Sequence, residues 1–194
     1  MKKDKAIFID RDGTVCEEMG YINHISRFRI FPWTAEAIRK VNESGFKAIL
    51  ITNQAGVARG FFPESFVCET HEILKEHLRK EGAHFDGVYY CPHHPEGNPP
   101  YRENCRCRKP KTGMIEQAVK EHGLDLPQCC LIGDQSIDLQ LAQNVGIQSI
   151  LVKTGFGLGE FENRLSKNDD LKPIVISENL LEAVTRFLSV NSES

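Results

Sequence analysis

The sequence predicts an α/β fold: a parallel β-sheet covered by helices on both faces. Three observations carry this expectation. Apolar runs of strand length recur along the chain, stretches with helical spacing of apolar residues separate them, and several runs end in polar residues. In such sheets ligands bind beyond the carboxyl ends of the strands, at the point where the strand order reverses. Asp10, Thr52 and Asp134 stand at three of those ends.

The first strand is Ala6–Ile9, which closes on Asp10, Asp12 and Gly13. A mixed segment runs from Val15 to Pro32. Pro32, Trp33 and Thr34 open a helix through about Ser44, with Ala37, Ile38 and Val41 on one face and Gly45 as its stop. Lys47–Asn53 is a second buried strand. Pro63 starts a helix carrying Phe66, Val67, Thr70, Leu74 and Leu78 on one face, and Gly82 closes it. Gly87–Cys91 is a third strand. Pro92–Pro110 is a proline-rich loop. Thr112 caps a helix to about His122, Cys130–Asp134 carries strand four, Ser136–Asn144 is helical, and Ser149–Gly155 carries strand five. Leu158–Lys172 reads as irregular and polar. Ser177 caps a last helix with Leu180, Leu181, Val184 and Leu188, and the final six residues are expected to fray.

The chain of 194 residues suffices for one domain with a substantial core, expected over residues 1–190. A formal charge of −3 argues against a nucleic-acid partner, which needs a basic face. No apolar run approaches the roughly 20 residues of a membrane span, and the run after the N-terminal lysines is too short for a signal sequence. A cytoplasmic protein with no membrane partner, expected to be a monomer, follows. The chain has seven cysteines, and three of them, Cys91, Cys105 and Cys107, crowd one segment beside His93 and His94. That pattern suggests metal more than disulfides. Three thiolates and one imidazole form a closed tetrahedral zinc site, which would order the loop 91–107; spacing alone does not separate the adjacent histidines. Cys16, Cys68, Cys129 and Cys130 read as ordinary thiols.

In extended backbone, residues two apart project to one side, so Asp10 and Asp12 can face a common pocket. Two carboxylates leaving a buried strand repel one another and lose hydration. An oxygen-liganded cation such as Mg²⁺ would hold them, although the same composition also makes turns. Thr52 offers a hydroxyl at a strand end, or simply fills it. The apolar run Cys130–Ile132 ahead of Gly133 and Asp134 repeats the pattern of the first strand. Asp138 can either support a metal or favour its helix N-terminus by charge.

DRDGT after an apolar strand resembles the first motif of the haloacid dehalogenase superfamily. ITNQAG resembles the second motif, Lys109 in CRCRKPK the third, and Asp134 in LIGDQSID the fourth. The resemblance spans Ala6 to about Thr154 and is closest to the group of D-glycero-D-manno-heptose-1,7-bisphosphate 7-phosphatases and histidinol phosphatases. It implies a Rossmann-like sheet with a minimal cap and a zinc-binding loop. It also implies a Mg²⁺-dependent phosphatase in which Asp10 is the nucleophile and Asp12 the proton donor and acceptor, with Thr52 and Lys109 on the phosphoryl group. Magnesium would lie on Asp10, on the Asp12 backbone carbonyl and on Asp134; zinc would be structural, on Cys91, His93, Cys105 and Cys107. A flap after the first motif supplies Glu18, Met19, Gly20 and Tyr21 as substrate contacts, or else is a plain turn. Asn53, Gln54, Arg59 and Arg108 complete the expected substrate-binding set. Gln135 departs from several heptose phosphatases, which carry lysine there. The substrate implied is a small phosphorylated sugar, the heptose bisphosphate, whose product feeds activated heptose for lipopolysaccharide or glycoprotein synthesis. Histidinol phosphate, or phosphosugar binding without catalysis, are the alternatives.

Overall fold

The computed structural model describes residues 3–163 and 171–191. Its centre is a six-stranded sheet in the order β3-β2-β1-β4-β5-β6. The strands are β1 Lys5–Ile9, β2 Phe46–Asn53, β3 Gly87–Cys91, β4 Cys130–Gly133, β5 Gln148–Val152 and β6 Val175–Ser177. Every pairing is parallel. The helices are α1 Thr34–Glu43, α2 Glu64–Lys80, α3 Gly113–His122, α4 Ser136–Val145, α5 Gly157–Asn163 and α6 Leu180–Asn191.

Strand alternation divides the core into two layers. Ile7 and Ile9 join Leu50, Ile132, Ile150 and the apolar faces of α1 and α6. Ala6 and Phe8 point the other way, to Ile49, Ile51, Leu131 and residues of α3 and α4. The chain leaves β1 for β2 on one side and returns to β4 on the other, so the switch point lies between β1 and β4. The register there pairs Ile9 with Ile132, and the Asp10 amide donates to the Ile132 carbonyl at 2.9 Å. Asp10 and Asp134 therefore emerge side by side, at the edge where a crevice must open.

Three expectations need correction. The stretch from Leu158 is not irregular throughout: α5 covers Gly157–Asn163, and residues 164–170 lie outside the described residues. A sixth strand, β6, follows it; three residues are too few for a recognisable alternation. The last helix is capped by Asn179, not Ser177. Asn179 Oδ1 accepts from the Glu182 amide at 3.0 Å, the usual N-cap bond, while Ser177 belongs to β6. The helix persists to Asn191, so the first three of the six residues expected to fray are helical, and the other three, 192–194, lie outside the described residues. Among the described residues no helix is long and apolar enough to cross a membrane.

Candidate active site

The loop after β1, the end of β2, the segment 108–109 and the β4–α4 turn meet at the switch point. They line a cleft of about 300 Å³ whose walls include Asp10, Asp12, Thr52, Lys109 and Gln135. The floor is charged and buried: Asp10, Thr52, Lys109, Asp134 and Asp138 all have little exposed surface. Lys109 Nζ lies 2.7 Å from Asp10 Oδ1 and 2.7 Å from Asp138 Oδ1, and donates to the Ile51 carbonyl at 3.4 Å. One ammonium thus faces a cluster of three carboxylates, Asp10, Asp134 and Asp138, whose oxygens lie within 4.8 Å of one another.

Burial opposes the Lys109 charge, but Asp10 and Asp138 together outweigh it and hold the ammonium above its ordinary range. Burial raises Asp10 to about 7, helped by Asp138 and Asp12 and opposed by Lys109. Asp134 is pushed further, to about 9, by burial and then by Asp10 and Asp138. Asp134 Oδ2 accepts from the Phe156 amide at 2.9 Å, whereas Oδ1 is buried without a partner. Gly13 and Gly155 have φ of +81° and +58° and pack against this carboxylate; a Cβ on either would collide with Oδ2. A buried carboxylate oxygen with no donor, beside two further carboxylates, is a donor set for a hard cation. Asp138 serves its helix N-terminus, and it also pairs with Lys109. Its Oδ1 meets Lys109, and its Oδ2 accepts from the Gln135 amide at 3.3 Å as half of a capping box on α4.

The raised carboxylates set a sign for the effect of pH. The unfolded chain loses these protons near pH 4, whereas the fold retains them to about 7 and about 9. In that interval the folded state binds more protons, so their contribution to stability falls as pH rises. A divalent cation needs the ionised forms and reverses this. Mg²⁺ is therefore expected to raise the melting temperature more at pH 8 than at pH 5, as read by calorimetry with and without the ion. An equal shift at both pH values would remove these carboxylates from its site.

Asp12 does not join the carboxylate cluster. Its oxygens are held by Arg11, and Gln54 Nε2 donates to Oδ2 at 2.8 Å and to Thr52 Oγ1 at 2.9 Å. Asn53 also serves the protein: its Oδ1 accepts from the Lys109 amide at 3.0 Å and its Nδ2 donates to the Lys109 carbonyl at 3.2 Å. Of the flap, Glu18, Gly20 and Tyr21 line the cleft; Met19 is not among the lining residues. Arg59 is not either. It is exposed, near His94 Nε2 at 3.2 Å and over the Tyr21 ring at 5.9 Å. Arg108 lines the cleft with a buried Nη1 that has no partner. Sequence reasoning missed Phe62, Ile137 and Phe156 as wall residues and missed Arg11 as the holder of Asp12. An arginine between two aspartates at a buried strand end was the available signal for the last.

Behind the cleft, Cys91, His93, Cys105 and Cys107 gather at the end of β3. The three sulfurs are 3.0–3.4 Å apart, far beyond the roughly 2.05 Å of a disulfide, and His93 Nδ1 lies 3.4 Å from Cys107 Sγ. His93 Nε2 faces Glu103 at 3.5 Å, the outer carboxylate that metal-binding histidines usually have. His94 points away, with its Nδ1 accepting from the Glu96 amide. The cluster can hold a metal, and it lies one residue from Arg108 and two from Lys109.

The profile of the HAD-hydrolase-like family matches residues 106–183. D-glycero-beta-D-manno-heptose-1,7-bisphosphate 7-phosphatase of Haemophilus influenzae is 40% identical over 153 residues, 78% of this chain and 83% of its own length. D-glycero-D-manno-heptose-1,7-bisphosphate 7-phosphatase of Thermosynechococcus vestitus is 39% identical over 184 residues, 92% of this chain and 93% of its own. The solved D,D-heptose 1,7-bisphosphate phosphatase of B. bronchiseptica, complexed with magnesium and phosphate, superposes with a TM-score of 0.84 at 26% identity, over 96% of this chain and 99% of that one. With the carboxylates and lysine gathered at the switch point and relatives this similar along this much of its length, the chain belongs to the haloacid-dehalogenase-like phosphatases, in the heptose-bisphosphate phosphatase family.

Proposed function

We propose that residues 1–190 form one phosphatase domain that removes the 7-phosphate of D-glycero-D-manno-heptose 1,7-bisphosphate. The supporting observation is the placement of Asp10, Lys109 and Asp134 at the switch point, with Asp12 on the cleft wall. A phosphate monoester needs a nucleophile, a proton donor and cations around the moving phosphoryl group. Asp10 Oδ attacks phosphorus and the bond to the leaving oxygen breaks, while Asp12 gives that oxygen a proton. Water then attacks the aspartyl-phosphate and gives a proton to Asp12, and the Asp10 carboxylate leaves with its electron pair. Thr52 Oγ1 and Lys109 Nζ stabilise the equatorial oxygens. Asp10, Asp134 and the Asp12 backbone carbonyl would hold Mg²⁺, which supplies charge neutralisation of the phosphoryl group.

The Cys91, His93, Cys105 and Cys107 cluster fits zinc by donor type, three thiolates and an imidazole, with no open position. Its role would be to fix the loop bearing Arg108 and Lys109. Metal analysis of the purified protein should find about one zinc per chain, from the four-ligand set. EDTA followed by excess Mg²⁺ should restore activity while that zinc stays bound. A Cys91–Cys105 disulfide with no zinc would refute the assignment.

Substrate choice follows from the cleft walls. Heptose bisphosphate carries a second phosphate remote from the reacting one, and the unpartnered Arg108 Nη1 suits it. Histidinol phosphate carries an ammonium and an imidazole instead. Glu18, raised to about 7 chiefly by burial and then by Asp12, is the acidic wall residue that would meet them. A phosphate-release comparison should give a kcat/KM for the bisphosphate about tenfold or more above that for histidinol phosphate. Arg108→Ala should lower it about 10–100-fold, the worth of a charged hydrogen bond, and turnover of p-nitrophenyl phosphate much less. The opposite preference between the natural substrates would move the enzyme to histidinol phosphate.

A further inference from the structure

Arg11 stands between the two aspartates, and strand alternation alone would aim it away from the side they share. It is nevertheless 3% exposed and bonded to its own neighbour. Nε lies 3.1 and 3.2 Å from the two Asp12 carboxylate oxygens, and Nη2 lies 3.0 Å from each. Adjacent side chains can meet because the backbone has left the strand: the Arg11 carbonyl accepts from the amides of Thr14, Val15 and Cys16. The remaining nitrogen, Nη1, turns to helix α2. It donates to Thr70 Oγ1 at 3.2 Å and faces His71 Nε2 at 3.4 Å. The Thr70 hydroxyl itself donates to the Val67 carbonyl, so its lone pairs are free to accept. A guanidinium can only donate, so His71 must meet it as a neutral imidazole. Burial, and then the Arg11 charge, push His71 down to about 3 and keep it so. Phe28 lies under the guanidinium, 5.6 Å from its ring centre.

We propose that Arg11 is a positioning residue for the proton-transferring carboxylate. Anchored on α2, it fixes the orientation of the Asp12 carboxyl group on the cleft wall, aimed to take the proton of the hydrolytic water. This rests on the role of Asp12 given above. In that half-reaction the water oxygen bonds to phosphorus, the bond from phosphorus to Asp10 breaks, and the proton passes to Asp12. A forked, charge-assisted pair fixes the carboxylate before the reaction, so little reorganisation is left for the transition state. The earlier half-reaction needs Asp12 only when the leaving group must be protonated. A phenolate leaving group needs no proton, so loss of Arg11 should then slow only the breakdown of the aspartyl-phosphate.

The test is stopped-flow and steady-state turnover of p-nitrophenyl phosphate with Mg²⁺ by Arg11→Met, Arg11→Lys and Thr70→Val. Arg11→Met should lower kcat about 100-fold with KM within about twofold, while the burst of p-nitrophenolate keeps its rate within about threefold. Arg11→Lys keeps the charge but lacks the fork, and should recover part of the loss. Thr70→Val leaves Arg11 in place and should cost about two- to fivefold in kcat with the same intact burst, so the split is readable even if Arg11→Met does not fold. In an Asp12→Asn background, Arg11→Met should add less than about twofold. A burst slowed in step with kcat, an unchanged kcat in Arg11→Met and Thr70→Val, or a full additional loss beside Asp12→Asn would overturn the inference while leaving Asp12 its role. Wild-type turnover by Asp12→Asn would refute both.

Discussion

Asp10→Asn should abolish phosphate release, with a loss of about 10⁴-fold or more in kcat, because the amide cannot displace the leaving group from phosphorus. The fold should survive. Asp10 is one of three buried carboxylates facing a single ammonium, and burial and its acidic neighbours hold its proton to about 7. Removing that charge relieves crowding, and Lys109 keeps Asp138 at 2.7 Å. The melting temperature without Mg²⁺ should therefore hold or rise, while binding of Mg²⁺ weakens. Circular dichroism melts beside a phosphate-release assay separate the two effects. Substantial residual turnover in well-folded Asp10→Asn would show that another group attacks phosphorus.

The opposite pattern is expected for Lys109→Met, which should damage stability and activity together. Its side chain is 1% exposed, and its ammonium touches Asp10 and Asp138 at 2.7 Å each. Methionine is similar in length but leaves carboxylates buried without their cation. Breaking a buried pair in this way costs about 3–5 kcal/mol, a fall of roughly 6–20 °C in melting temperature for a chain of this size. Turnover should fall about 10²–10³-fold, the usual cost of losing one preorganised contact to the transition-state charge. Saturating Mg²⁺ should return part of the stability by neutralising the same carboxylates, but not the turnover. A variant as stable as the wild type without Mg²⁺ would mean that the pair contributes nothing net.

Much of this was legible from local pattern. The apolar runs closing on Asp10, Thr52 and Asp134 marked buried parallel strands, and those strands place their ends at a common edge. Period alone sufficed there, since burial on both faces demands a continuous apolar run and only the exit tolerates a charge. The Cys/His cluster was equally readable except for the choice between His93 and His94, because three thiols and an imidazole in a proline-rich loop have little other reason to converge. The short β6 and the α5 helix were not, since three and seven residues carry too little period to separate them from loop.

What sequence alone determined, then, is which residue types stand at the strand exits and that they must share a crevice. Tertiary structure decided how they are divided among tasks. Asn53 and Gln54, polar residues expected to meet the substrate, line the cleft and are at the same time bonded to the Lys109 backbone and to Asp12. Asp138, considered for metal support or for its helix N-terminus, caps α4 and also reaches Lys109 across 29 residues of sequence. Arg11, whose position in the strand pattern should turn it away, bends back onto Asp12 because α2 offers its third nitrogen a hydroxyl and a neutral imidazole. The physical reason is common to all three. Period reports which side of an element a side chain leaves from, but a buried polar group must find a partner, and that partner comes from whatever distant segment the packing brings within about 3 Å.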